Sequence, residues 1–529
     1  MTPFRPGGGG EAGPRRRDRL RHGAQLQQSR PVNLVSLLLR HAQERPDAVA
    51  LVDESGATTT FAGLAGAAAA TAGSFRALGV TPGDRVAVAA WNDTGFVRAY
   101  LGALWAGAVA VPMNPSSPAV AHDAEVRRVG ARVLVCGGGA EHLLGLTGAI
   151  ATAELPDVAP MPAEVERDDA DLAVLLFTSG TAGAPRAAML THGNLAANIG
   201  QVQSHPGLRV AAQDVGLATL PFFHVFGLNV ALGVALAGGV RSVLLGQFDP
   251  SRAAELVRTH GVTILAGVPA MFAALLELAD ADAPPETFRS VRLAVAGAAE
   301  LPESVAAAFL DRFGVTIHEG YGLTEAAPIV STTAVDRRPR WGSIGPPLPG
   351  VDVRLVDADG SDAAVGDPGE IWVRGPNVFA GYWDDPDATA RVLSDGWLRT
   401  GDVAVSDDEG FLSLVDRMKD LVIVSGFNVY PAEVEDALRT HPDVADAAVV
   451  GAPNARTGEA VVAFVVPRAG GPAPTLASVR DHVARRLARY KVPTAVHTVP
   501  ELPRNQSGKV LRRALVPPDP EAPGRPPAD

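Results

Sequence analysis

Phe177–Ala188 reads FTSGTAGAPRAA and follows Leu172–Leu176, a short apolar run with the look of a buried strand. The stretch reads as a loop that grips phosphate. Thr178, Ser179 and Thr181 supply hydroxyls, Gly180 and Gly183 let backbone N–H groups approach an anion with no Cβ in the way, and Arg186 adds a fixed positive charge. Thr191 with Asn194 then opens a helix from Asn194 to about Gln203. No Gly-Lys-Ser/Thr follows Gly180 at the spacing of a Walker A loop, so P-loop GTPases and kinases are poor readings. Taken alone, a Gly/Ser/Thr-rich connection after a strand is as readily a plain loop as a binding loop.

The surrounding chain narrows the choice. Its 529 residues suffice for two or three packed units at roughly 150 residues each. The 47% apolar and 20% charged fractions are those of a globular protein. A single cysteine, Cys136, excludes an internal disulfide and a cysteine-based metal cluster and fits a reducing, cytoplasmic setting. The formal charge of −12 repels nucleic acid and any anionic substrate that is not steered locally, so a nucleotide site must gather its own positive charge. Lysine is nearly absent: Lys419, Lys491 and Lys509 are the only three among 46 basic residues.

Residues 1–30 are Gly/Arg/Gln-rich without apolar periodicity and read as a disordered tail; Arg15–Arg17 lack the following apolar run of an export signal. From Val32 the pattern alternates: helices near Leu34–Gln43, Phe61–Leu78 and Thr94–Ala106, and strands at Arg85–Ala90 and Ala108–Pro112. Such alternation predicts parallel sheets covered by helices. Val215–Val240 carries no charge, yet Pro221, His224, Asn229 and several glycines interrupt it, which predicts a strand, a loop and a core helix in place of a membrane span; peripheral membrane contact stays open. Arg289–Ala296 reads as a strand entering the Gly297-Ala298-Ala299 turn, and Val315–His318 as one entering Glu319-Gly320-Tyr321-Gly322. Between Ile344 and Leu414 short alternating runs separated by Gly/Pro turns predict a small β-barrel or sandwich. Past Asp416–Lys419 a compact α+β unit is expected, with a helix from Pro431, strands Ala445–Gly451 and Ala460–Pro467, and an amphipathic helix Leu476–Arg489 showing Leu476, Val479, Val483 and Leu487 on one face. The boundaries that follow are 31–415, 416–515 and a proline-rich tail, 516–529, read as disordered.

Several separated stretches share one order. They are Thr178–Arg186, Tyr321-Gly322-Leu323-Thr324-Glu325, Thr400-Gly401-Asp402, Asp416-Arg417-Met418-Lys419, Gly426–Pro431 and Pro503–Lys509. In order and spacing the chain resembles an acyl-CoA synthetase of the adenylate-forming superfamily, from about Val32 to Leu515. The resemblance implies a large N-terminal domain of two α/β subdomains plus a small β-barrel, and a small mobile C-terminal α+β domain. It also implies two steps: a carboxylate attacks the α-phosphate of ATP to give acyl-AMP and pyrophosphate, then the thiol of coenzyme A attacks the acyl carbon. Because like charges must be brought together, such catalysis depends on positioning and on cations.

Residue by residue, the resemblance implies that Thr178, Ser179, Gly180, Thr181, Gly183 and Arg186 hold pyrophosphate. Glu325 beside Thr324, with Thr178, would hold Mg²⁺. Tyr321 would stack on adenine, flanked by Gly297, Ala298, Ala299, Glu319, Gly320 and Gly322, with Asp402 and Arg417 on the ribose hydroxyls. Lys509, a compact and mobile ammonium, would reach both the substrate carboxylate and the α-phosphate. Lys419 falls at the hinge between the domains, and Gly426 would line the pantetheine tunnel after the small domain reorients. Lys491 reads as a surface residue.

Two departures and one absence refine this. Arg186 stands where the family usually has lysine, and Ala187 where it has glycine, which leaves a catalytically weakened relative as an alternative. No aspartate occurs between Val215 and Gly246 to pair with a substrate ammonium, so an amino acid is disfavoured. His224, within Phe222–Gly227, reads as a gate or positioning group at the mouth of an acyl pocket, and the expected acid is a fatty acid or related carboxylate. An acyl-carrier protein is the alternative acceptor to coenzyme A.

Overall fold

A computed structural model describes residues 33–178, 185–335, 340–357, 359–417, 422–424, 427–429, 431–454, 458–487, 489–504 and 510–516. The β/α alternation forms two sheets flanked by helices. The first has six strands in the order Ala149–Ala151, Ala131–Cys136, Arg85–Ala89, Val109–Met113, Leu172–Thr178 and Arg186–Thr191. Neighbours run parallel except the last pair, which is antiparallel with Thr178 opposite Arg186. Chain length dictates that exception, because seven residues separate Thr178 from Arg186 and a parallel crossover needs about a dozen. Thr178 and Arg186, which flank the stretch read as a phosphate loop, are therefore held opposite each other by strand pairing.

The second sheet has eight strands in the order Ile329–Thr332, Ile317–Gly322, Leu293–Ala296, Ile264–Gly267, Val215–Ala218, Arg241–Leu244, Val49–Val52 and Thr58–Thr60, parallel in its centre and antiparallel at both edges. A five-stranded antiparallel sheet (Asp352–Val356, Gly369–Arg374, Trp397–Ser406, Leu393–Ser394, Leu412–Arg417) is the small barrel-like unit. The C-terminal α+β unit builds its own sheet around Gly458–Pro467 and packs Val434, Leu438, Val479 and Val483 against it, all four with 0% exposure. The fold is thus the expected α/β plus α+β arrangement.

Local chemistry sets the element boundaries. Asp93 caps the helix Thr94–Trp105 by accepting from the Phe96 N–H at 2.6 Å, a contact of the kind that stabilises a helix by about 1 kcal/mol. Gly102 of that helix faces Thr71 so closely that a Cβ would come within 2.7 Å, which lets it pack against the alanine-rich helix Phe61–Ala77. Thr191 and Asn194 form a reciprocal capping box that starts the helix His192–Ser204. Cys136, at the end of its strand, is buried, and burial followed by the charge of Glu141 pushes its thiol up to about 11.

Three expectations change. The strand read from Arg289 starts only at Leu293, because pairing with Ile264–Gly267 begins there and Pro285–Phe288 forms a 3₁₀ turn before it. The strand read as Val315–His318 instead spans Ile317–Gly322, its later residues held by antiparallel pairing with Ile329–Thr332. The C-terminal helix ends at Ala484, and Leu476 is 42% exposed and lies off the buried face formed by Val479 and Val483. Val215–Val240 divides as expected into a strand, a loop and a helix whose first part, Phe226–Val234, is a π-helix. No helix among the described residues is long and apolar enough to cross a membrane.

Candidate functional site

Strand alternation delivers the base end of the site. Glu319 and Tyr321 share the buried side of Ile317–Gly322. The Tyr321 hydroxyl donates to Asp402 Oδ2 at 2.7 Å, joining two residues 81 positions apart. Asp402 follows Gly401 (φ +72°) and sits in register opposite Arg417 across the small sheet, so both residues expected at the ribose are neighbours in space. Ala296 pairs with Glu319, which sets Gly297–Ala299 beside Gly320–Gly322. Gly297 packs closely there: a Cβ would lie 3.1 Å from the Phe226 ring and 3.2 Å from the Gly320 carbonyl, tighter than ordinary contact. Ala298 itself takes φ +68°. Burial, and then the charge of Glu300, push the Glu319 carboxyl up to about 8, so near neutral pH it keeps a proton.

At the phosphate end, Thr324–Ala326 forms a 3₁₀ turn packed against the strand Arg186–Thr191. Three buried asparagines clamp this segment. Asn377 donates to the Ala326 carbonyl at 2.8 Å, Asn229 to Ala327 at 2.7 Å and Asn198 to Ile329 at 2.8 Å. Glu325 Oε1 accepts from the Tyr382 hydroxyl at 2.7 Å. That hydroxyl is held protonated, its pKa raised by burial and then by the Glu325 charge. Arg186 Nε donates to Asp385 Oδ2 at 2.9 Å, and its guanidinium lies 5.8 Å from the Tyr382 ring centroid. Thr178 Oγ1 donates weakly to the Arg186 carbonyl at 3.4 Å. Ala187 lies inside its strand, fully buried with Leu175, Phe177 and Trp383, so the Cβ that replaces a hydrogen here fills a packed apolar site.

Mg²⁺ suits these donors. Glu325 keeps a second hard oxygen beyond the one bonded to Tyr382, and Thr178 adds a hydroxyl. Among the described residues no cluster of three or more His, Cys, Asp or Glu is placed to hold a metal ion by itself.

A third region adjoins the Gly297 turn. An apolar cavity of about 60 Å³ lies between the second sheet and the helices, lined among others by Val230, Ala231 and Val234 of the π-helix and by Leu217, Leu293 and Val295. Every lining residue is uncharged and carries no polar side chain. Phe226, one π-turn before Val230 and Ala231, lies against Gly297. His224 reaches solvent, yet protein crowding lowers its pKa below the ordinary imidazole value. The Phe226 N–H donates to its Nδ1 at 3.2 Å, which places the neutral ring's proton on Nε2.

Ser179, Gly180, Thr181, Gly183, Lys419, Gly426 and Lys509 lie outside the described residues. Lys491, read as a surface residue, instead pairs with Glu433 and is only 16% exposed at its side chain. Tyr382, Asp385, Asn198 and Asn377 escaped the sequence reading, and Asn229 was noted only as an interruption of an apolar run. Their signal was available: Asn198 and Asn229 are amides set in otherwise apolar patterns, which buried segments tolerate only when hydrogen-bonded.

A family model described as AMP-binding enzyme matches residues 38–383, and one described as AMP-binding enzyme C-terminal domain matches residues 433–509. A long-chain-fatty-acid–CoA ligase of Yersinia pestis is 42% identical over 351 residues, 65% of this chain and 61% of its own length, so the match spans less than two thirds of that relative. A feruloyl-CoA synthase of an Amycolatopsis species is 38% identical over 488 residues, 90% of this chain and 96% of its own. The solved structure of o-succinylbenzoate coenzyme A synthetase from Bacillus subtilis, in complex with ATP and magnesium ion, is similar with a TM-score of 0.81 at 32% identity, covering 90% of this chain and 98% of that one.

Proposed function

Because the chain belongs to the AMP-binding enzyme family, we propose that it is an AMP-forming acid–thiol ligase that activates an alkyl carboxylic acid with ATP and passes it to coenzyme A. The observation that carries the choice of acid is the cavity. Ferulate brings a phenol and a methoxy oxygen, and o-succinylbenzoate a second carboxylate; a lining without polar side chains would leave these unpaired at about 1–3 kcal/mol for each neutral group and more for a charge. An alkyl chain makes no such demand, and each methylene buried contributes about 0.8 kcal/mol.

In this reading Tyr321 and Asp402 orient the nucleoside, while Arg186 and the loop before it meet the leaving pyrophosphate. Mg²⁺ at Glu325 and Thr178 would supply charge neutralisation at the phosphates. His224 serves as a neutral positioning group near the acid, since a carboxylate nucleophile is already ionised at pH 7. Lys509 completes the cation set for adenylation. We further propose that residues 31–415 and 416–515 are the two working bodies, with Lys419 at the pivot and Gly426 entering for the thiol step.

Pyrophosphate release should be measured across saturated monocarboxylates of increasing length, with ferulate alongside, for the natural chain and Ala231→Leu. Alkyl acids should be preferred, and the added bulk should move the optimum to shorter chains. Preference for ferulate, or an optimum indifferent to Ala231→Leu, would remove the assignment. Running the second step with coenzyme A and with an acyl-carrier protein decides the acceptor, which is expected to be coenzyme A.

A further inference from the structure

Arg186 is the cation assigned to pyrophosphate, yet it already has a built partner. Asp385 receives its Nε–H at 2.9 Å through Oδ2. Through Oδ1, Asp385 accepts from the Ala388 N–H at 3.0 Å and so caps the short helix Pro386–Val392. These two bonds, the cap first and Arg186 second, hold its carboxyl below the usual carboxylate range. The turn that carries Asp385 is stitched to the Arg186 strand: the Trp383 N–H donates to the Ala187 carbonyl at 2.8 Å, and Tyr382 bridges to Ala188. Thr389 Oγ1 donates to the Asp385 carbonyl at 2.9 Å and accepts from the Tyr382 N–H at 2.9 Å. The placement of Asp385 is thus fixed by backbone and cap contacts that do not depend on Arg186.

Such an arrangement has a consequence for an arriving anion. The pair is part-exposed, with side-chain exposures of 26% and 23%, and pairs of this kind are weak enough to exchange. While Arg186 stays on Asp385 their charges cancel, so a polyphosphate meets the full guanidinium charge only after the partner is given up. We propose that Asp385 is the resting counter-ion of Arg186: it yields the arginine to the β- and γ-phosphates of ATP and recaptures it as pyrophosphate leaves. Asp385 acts through Arg186 and is a positioning residue. The exchange breaks and forms only ion pairs and needs no co-reactant. It also gives arginine a purpose here, because its planar fork can keep the Tyr382 ring as a platform while changing anionic partner. The inference rests on the proposed pyrophosphate site.

Asp385→Asn separates the two roles, since asparagine caps helices as well as aspartate but carries no charge. Titration calorimetry with magnesium pyrophosphate alone should show binding about three- to tenfold tighter than in the natural chain at low salt, with the gain shrinking as salt rises. Pyrophosphate should become a correspondingly stronger product inhibitor, with KM for ATP and kcat both falling. In an Arg186→Ala background the same substitution should change nothing. Unchanged or weaker pyrophosphate binding in a folded Asp385→Asn variant would overturn the proposal, as would a gain that persists without Arg186. Failure of the functional reading is distinguishable: the natural chain would then bind pyrophosphate through Arg186 yet support no acid-dependent exchange of pyrophosphate into ATP. If pyrophosphate did not bind at all, both would fall.

Discussion

At the base end of the site Tyr321 and Asp402 meet directly, side chain to side chain, in a buried contact. At the phosphate end Glu325 and Arg186 are linked through Tyr382 and Asp385, and the side chains of that ion pair are part-exposed. Under the proposed function the base end would receive a neutral, flat group whose charge does not change during the reaction, and its contact is preset. Under the same proposal the phosphate end would meet several negative charges and release them again, and its ion pair is part-exposed. Rigidity and exchange are thus segregated within one site.

The severest test removes the cation that neither end supplies. Lys509→Ala should slow adenylation by about 10²- to 10³-fold while leaving thioester formation from preformed acyl-AMP much less affected; equal loss in both half-reactions would show that charge is not what this residue contributes. Next comes the base end. Asp402→Asn should raise KM for ATP by about ten- to a hundredfold, the loss of a charged hydrogen-bond acceptor for the ribose, whereas an effect confined to kcat would mean that Asp402 is not holding the nucleoside. Tyr382→Phe sharpens the contrast. It should raise the Mg²⁺ concentration for half-maximal rate by about fivefold, since one hydrogen bond orienting Glu325 is lost and the ligand itself remains. A Mg²⁺ titration identical to that of the natural chain would detach Tyr382 from the metal.

The smallest effect is on stability. Glu319 is raised from the ordinary carboxyl value to about 8 in the folded chain, so the native state holds a proton that the unfolded state releases. Its contribution is complete below the unfolded value, near 4.5, and is lost as pH rises through about 8. Glu319→Gln should therefore flatten the fall in melting temperature between pH 5 and 8.5, by about 2 °C or more. Parallel curves for the two proteins would place Glu319 in water.

The legibility of the sequence follows the same division. The alternation from Val32 onward, the capping box at Thr191 and the helix-and-strand reading of Val215–Val240 rest on periodicity and local bonds, and all were readable. Tyr321, Asp402 and Arg417 sit in short motifs whose neighbours carry the information, and the strands then bring them together. Asp385 and Tyr382 sit about two hundred residues from Arg186, in a segment that reads as an ordinary turn and helix cap. What matters about them is created by tertiary pairing across Ala187 and Ala188, to which no local pattern refers. The strand that the sequence reading ends at His318 continues to Gly322 for a related reason: two glycines weaken a strand pattern, but antiparallel pairing at a sheet edge outweighs that preference.

The buried Cys136, with its thiol pushed up to about 11, has an experimental corollary. At neutral pH the only sulfhydryl of this chain should react slowly with maleimides and nitroxide reagents, being buried and almost wholly protonated. Cysteines introduced one at a time, or in pairs across residues 31–415 and 416–515, can be tagged without first deleting a native one. Distance spectroscopy through a full turnover is then open to a protein whose own sulfur stays silent.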